Sequence, residues 1–211
     1  PYCAGSVSEA SRTSAKGQGL RSETIRRLGW FVGDNMGTAG LVWLLRSVGG
    51  EARRVLKPSG SMLVFCDWRM ASSIQPAIES SGLRFQNLVV WDKVSMGLGL
   101  GFRCQHELIL HYTNGSPEYH NRGTSNVVKS KRVGRGEREH QTQKPTDLLG
   151  TLARVICPIG GTVFDPFMGS GSTGVACKEN GMDFIGCDLD PANVEIAKRR
   201  MEEADLATVS A

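Results

Sequence analysis

No apolar stretch in this 211-residue sequence approaches the roughly 18 residues that a membrane-crossing helix requires. The opening residues hold no apolar run of the secretory-signal kind. Six cysteines are present (Cys3, Cys66, Cys104, Cys157, Cys177 and Cys187), but none forms a C-x-x-C pair or a zinc-like spacing. Neither a disulfide nor a metal site is therefore expected. Several of the six sit inside apolar runs, as reduced core residues of an intracellular protein do, so a cytoplasmic location is expected and no membrane partner. There is no internal repeat, which argues against a stacked-repeat architecture. Neither sign of charge dominates: 25 Lys and Arg oppose 21 Asp and Glu, and the resulting +4 is mild evidence for a polyanionic partner.

What is present is the composition of a globular protein, with 40% hydrophobic and 22% charged residues. The length suits a single domain spanning 1–211 with one sizeable core. Residues 1–40 carry many Gly, Ser, Arg and Lys without a sustained period and read as loop. From Leu41, "LVWLLRSVGGEARRVL" has helical spacing, although Gly49-Gly50 would weaken its middle. "SMLVFCDW" reads as a buried strand and "MASSIQPAIESSG" as a short helix stopped by Gly82. "FQNLVVWDK" and "HELILHYT" read as two strands joined by the Gly-rich "VSMGLGLGF". After a polar stretch come a helix ("PTDLLGTLARVIC"), a strand ("GTVFDPF"), a helix opening ("TGVACKEN") and another strand ("DFIGCDLD"). A last helix, "PANVEIAKRRMEEA", has Pro191 in its first turn. Strands alternating with helices predict an α/β fold with a mostly parallel sheet and an antiparallel hairpin.

Gly169, Gly171 and Gly174 satisfy G-x-G-x-x-G between a strand and a helix, and Asp188 ends the next strand, 19 positions after Gly169. Glycines let the backbone turn sharply beside a ligand, and the helix N-terminus offers free N–H groups. An acid at the tip of the second strand can accept both ribose hydroxyls, so the unit reads as a nucleoside-cofactor site. A tight packing turn is the plainer alternative. A phosphate-binding P-loop is excluded, because Val175-Ala176 follows Gly174 where Lys-Ser/Thr is needed. A NAD(P)-binding oxidoreductase is the rival enzyme class. That fold continues with further β-α units after the acidic strand, whereas one helix follows Asp188 here. Asp165, at the mouth of the turn, suits a cationic ligand better than a pyrophosphate.

"FDPFMGSGSTG", preceded by "HQTQKPTDLL", resembles the S-adenosylmethionine site of the amino-group DNA methyltransferases. The order of motifs is similar to the permuted beta class, which methylates adenine N6 or cytosine N4. The resemblance runs from the opening "PY" to "DLD" and includes "LKPSGSMLVFCDW" and "VVWDK". It implies a Rossmann-like methyltransferase fold and S-adenosyl-L-methionine as cofactor. The cofactor would be held by His140, Thr142, Gln143 and Lys144 of the pre-loop block (where Gln141 replaces the family's first Pro), by Asp165, Pro166, Phe167, Met168, Gly169, Ser170 and Gly171 of the turn, and by Asp188. It also implies double-stranded DNA as substrate, with the target base flipped out of the duplex. Pro1-Tyr2 would be the last two residues of the catalytic tetrapeptide, with Tyr2 stacked on that base. The preceding Asp-Pro or Ser-Pro and two sheet strands would then lie upstream, so the sequence is expected to be a fragment lacking roughly 25–40 residues and inactive on its own. Adenine N6 is the expected target, with cytosine N4 as the alternative. A catalytically dead DNA-binding relic is a further one, and a homodimer is left open.

Other residues carry weaker signals. Asp67-Trp68 ends a strand, where Trp68 could line a base pocket or cap the core. Trp91-Asp92-Lys93 reads as a base-pocket wall or as a strand end with a solvated charge pair. His106 and His111 read as strand residues satisfied locally. Two basic segments are candidates for phosphate contacts. The first holds Arg12, Lys16, Arg21, Arg26 and Arg27 against Glu9 and Glu23. The second, 113–139, is expected to be a loop without regular structure and sets Arg122, Lys129, Lys131, Arg132, Arg135 and Arg138 against Glu118, Glu137 and Glu139.

Overall fold

The computed structural model describes residues 37–97, 100–134 and 143–209. They group into two compact units, one drawn from 37–92, 96–118 and 126–128, the other from 93–95, 119–125 and 129–209. The reading of residues 1–36 as loop falls outside the described residues.

The first unit opens with α1 (Thr38–Val55), followed by β1 (Ser61–Cys66), α2 (Trp68–Glu79), β2 (Arg84–Asp92) and β3 (His106–Thr113). Helix α1 buries Leu41, Leu45 and Gly49, and α2 buries Met70, Ile74 and Ile78, each at a spacing of four that keeps one face inward. The two stripes meet the sheet in a core that includes Val64, Cys66, Leu108, Leu110 and Tyr112. Helix α1 runs unbroken through Gly49-Gly50, and Gly49 is where the helices touch. A Cβ there would stand 2.9 Å from Ser81 Oγ and 3.3 Å from Ile78 Cγ2, so a larger residue would push α2 away. Asp67 is the N-cap of α2 and accepts a hydrogen bond from Arg69 N, so this helix starts two residues before Met70.

Strand β3 lies between β1 and β2 and runs antiparallel to both, so β1 and β2 point the same way. The β1-α2-β2 segment is thus a parallel crossover, and β3 returns through a hairpin to fill the slot left open. As a central strand, β3 buries six consecutive residues from Leu108 to Thr113. Its far end is tied down by Asn114, whose side-chain amide donates to Leu56 O at the C-terminus of α1. The polar 113–139 stretch, expected to be loop, contains a further strand, β4 (Val127–Lys129), on the outer edge of β2. Three residues are too few to show a period of two, and the strand exists because β2 offers unpaired backbone groups there.

The second unit contains α3 (Thr146–Ile156), β5 (Thr162–Asp165), α4 (Ser172–Glu179), β6 (Asp183–Gly186) and α5 (Pro191–Val209). Strands β5 and β6 pair in parallel with Phe164 opposite Ile185, and α4 is their crossover helix. Helix α4 buries Ser172, Gly174, Val175, Ala176 and Cys177 in eight residues, because neighbouring elements cover it on several sides. No helix among the described residues is long and apolar enough to cross a membrane.

Candidate cofactor site

The glycine turn lies wholly within the second unit, at the C-terminal ends of β5 and β6, where ligands of open α/β sheets gather. Backbone pairing continues past both strands: Cys187 N donates to Asp165 O, and Met168 N donates to Cys187 O, each at 3.1 Å. Gly169 and Gly171 both have positive φ, and Gly171 is the N-cap of α4 at φ +77°. An L-residue with a side chain would be strained there. Space excludes it too, since a Cβ on Gly171 would stand 2.6 Å from Ala197 Cβ in α5.

Two carboxylates hold the turn. Asp165, the last residue of β5, accepts from Phe167 N at 3.0 Å through Oδ1 and from Thr173 Oγ1 at 2.6 Å through Oδ2. It therefore links the strand end to the first turn of α4. Asp188 accepts from Gly169 N at 2.9 Å through Oδ2. Its Oδ1 accepts from Asp190 N and Asn193 Nδ2, each at 3.0 Å. Asp188, expected only to offer oxygens to a ribose, is thus also a clamp between the turn and the start of α5. Within α4, burial pushes the Cys177 thiol up to about 12, with the charges of Cys157 and Asp165 adding to the shift. That cysteine packs as a small neutral hydrophobe.

Phe167 is 39% exposed and Leu189 is 85% exposed, so an apolar surface accompanies each carboxylate. Pro166 and Met168 belong to the same turn; Met168 is buried, and Pro166 O accepts a long contact from Cys187 Sγ. Gln143 and Lys144 are half-buried just ahead of α3. The N-cap of α3 is Pro145, in extended backbone conformation. His140 and Thr142 lie outside the described residues, as do Pro1, Tyr2, Arg12, Lys16, Arg21 and Arg135.

The remaining candidates divide. Trp91 is 2% exposed and packs edge-on against Phe65, which makes it core and removes it as a pocket wall. Asp92 accepts from Gln105 Nε2 at 2.8 Å. Trp68 is 52% exposed with the Arg69 guanidinium 5.3 Å from its ring, so it does not cap the core. His111 is buried beside Ser61 Oγ at 3.0 Å, satisfied locally as expected. Lys129, Lys131 and Arg132 are exposed, and Arg132 Nη2 donates to Ser95 Oγ at 3.2 Å. Thr173, Asn193 and Arg200 were not among the expected site residues, and each contacts the turn or its acids. For Asn193 and Arg200 the available signal was the spacing of 193, 197 and 200 along one helix.

A strand–glycine turn–helix unit with an acid at the next strand tip, and a βαβ unit whose slot is filled by a reversed strand, are the two parts of the Rossmann-like methyltransferase fold. The solved structures agree. The chain superimposes on M1.HpyAVI in complex with SAM with a TM-score of 0.66 and 23% identity, covering 75% of this chain and 82% of that one. It superimposes on the PvuII DNA methyltransferase (cytosine-N4-specific) with a TM-score of 0.69 and 15% identity, covering 79% and 75%. A DNA methylase family model matches residues 20–199. The type II methyltransferase M2.DpnII of Streptococcus pneumoniae is 30% identical over 172 residues, covering 72% of this chain and 63% of the relative. M2.LlaDCHI of Lactococcus lactis subsp. cremoris is 28% identical, covering 72% and 64%. The chain belongs to the DNA methylase family and spans less than two thirds of the length of these two relatives.

Proposed function

We propose that the chain is the cofactor-binding part of a DNA methyltransferase that carries a methyl group from S-adenosylmethionine to the exocyclic amine of a base, adenine N6 in the first reading and cytosine N4 in the second. The observation that carries this reading is the glycine turn held between Asp165 and Asp188, with Phe167 and Leu189 exposed beside them. Two carboxylates at the lip of a glycine turn disfavour a pyrophosphate and favour a ligand with cationic groups. The apolar side chains supply area for a purine ring and a thioether-like chain. S-adenosylmethionine supplies an electrophilic methyl group, so the protein's task is to bind, orient and exclude water.

In this reading Asp188 accepts the ribose hydroxyls in exchange for one of its present donors, and Asp165 favours the cationic end of the ligand while keeping its hold on Thr173. Gln143 and Lys144, with His140 and Thr142, approach the ligand's carboxylate from the segment before α3. Tyr2 stacks on the extruded base, and Pro1 belongs to the motif that receives its amine. Lys129, Lys131 and Arg132, together with Arg12, Lys16, Arg21 and Arg135, contact phosphates. A flipped acceptor amine needs positioning and electrostatic support more than a histidine base.

Calorimetry with S-adenosylmethionine and with a nicotinamide dinucleotide tests the cofactor; binding of the dinucleotide alone would reject this reading. Incubation of the complete gene product with duplex DNA and labelled cofactor, followed by nucleoside analysis, tests the transfer. Label in N6-methyladenine supports the first reading, label in N4-methylcytosine supports the second, and unlabelled DNA removes both.

A further inference from the structure

Asn193, Ala197 and Arg200 fall on one stripe of α5, since residues four and then three apart share a helix face. All three meet the glycine turn or its acid. Asn193 reaches Asp188, and Ala197 lies against Gly171. Arg200 Nη1 donates to Ser170 O at 2.6 Å and lies 3.2 Å from both Ser170 Oγ and Ser172 Oγ. Ser170 is 3% exposed and Ser172 is 6% exposed. Buried carbonyl and hydroxyl groups are costly without partners. The guanidinium supplies the donors, and a charged donor makes the short carbonyl bond stronger than a neutral one would. Ser170 O belongs to the peptide joining Ser170 to Gly171, so the bond fixes the plane in which the left-handed residue begins. A fixed peptide plane there also fixes where the adjoining N–H groups point.

We propose that Arg200 is a positioning residue for the cofactor: from thirty positions down the chain it sets the shape of the Gly169–Ser172 turn. This rests on reading the turn as the S-adenosylmethionine site. Arg200 need not touch the ligand. It acts through Ser170 and Ser172, so its loss should weaken binding by disordering the turn while the rest of the unit keeps its fold.

The test uses the 211-residue chain and three variants, R200M, R200K and S172A. Two quantities are measured: S-adenosylmethionine affinity by calorimetry, and the backbone amide resonances of Gly169–Ser172 and of α3 by NMR. R200M keeps the stem but removes the donors, and its affinity is expected to fall about tenfold or more, the scale of a lost charge-assisted hydrogen bond. Its turn amides should move while those of α3 stay. R200K retains a charged donor and should bind more tightly than R200M; S172A should lose less than either. R200M binding within twofold of wild type with unmoved turn amides overturns the proposal. If R200M does not fold, R200K decides: shifted turn amides support it, and unchanged amides with unchanged affinity overturn it. A wild-type chain that binds no S-adenosylmethionine rejects the proposed cofactor, and the amide shifts of the variants then still judge whether Arg200 shapes the turn.

Discussion

Gly171→Ala should destabilise the second unit for two separable reasons. At φ +77° the backbone is left-handed, which costs a residue with a Cβ about 1–2 kcal/mol. The added methyl would also stand 2.6 Å from Ala197 Cβ and 2.8 Å from Ala197 Cα, so α5 must move outward. Overpacking of this kind costs about 1–3 kcal/mol. A total of about 3 kcal/mol corresponds to a fall of about 6–12 °C in the unfolding midpoint for a chain of this size. Ala197→Gly separates the two contributions. Alone it should cost about 1 kcal/mol through helix propensity. In that background Gly171→Ala should cost less, because the methyl at 2.6 Å has gone while the Cα at 2.8 Å remains. The double-mutant cycle, followed by urea unfolding, should therefore show a favourable coupling of about 1 kcal/mol, a part of the overpacking cost. A Gly171→Ala midpoint within about 1 °C of wild type would refute the reasoning, and strictly additive effects would refute the Cβ contact as a source of the cost.

Tyr112→Phe should leave stability unchanged or raise it by about 1 kcal/mol, because the buried Tyr112 hydroxyl has no hydrogen-bond partner among the described residues; a clear loss in urea unfolding would contradict this. Burial lowers the His111 pKa below its usual 6.5, so below that pH the unfolded chain takes up a proton that the folded chain refuses. Stability from this group is complete above about pH 6.5 and declines as pH falls, and His111→Gln should flatten the difference in midpoint between pH 7 and pH 5. Identical profiles for the two proteins would count against it. Burial also pushes the Cys66 and Cys177 thiols up to about 12, whereas Cys104 and Cys187 are exposed. Iodoacetamide at pH 8 should alkylate the exposed pair and spare the buried pair, as read by mass spectrometry of native protein. Equal labelling of Cys66 and Cys104 would be the contrary result.

Much of the chain was legible because its signals are local. The stripes of α1 and α2, the apolar strands and the glycine punctuation all act through neighbours a few residues apart. Their positions agree with the structure to within a few residues. The failures were also specific. The packing role of Gly49 was not legible, because helix propensity counts only its own backbone, whereas its bare Cα allows α2 to approach. Strand β4 was hidden in a polar stretch because its cause is the unpaired edge of β2. Trp91 and Trp68 were ambiguous, since an aromatic at a strand end has the same local pattern whether it packs inward or stays exposed.

By itself the sequence determined which chemical groups the site contains: three spaced glycines, a carboxylate ahead of them and another nineteen positions beyond the first. It also determined that they fall on a strand–turn–helix, because backbone conformation and periodicity are set by adjacent residues. Tertiary structure alone decided what those groups touch. Asp188 clamps Gly169, and Arg200 holds the carbonyl of Ser170, because α5 folds back along the turn. Contacts between residues thirty positions apart depend on how separate elements pack, and no local pattern in the chain records that choice.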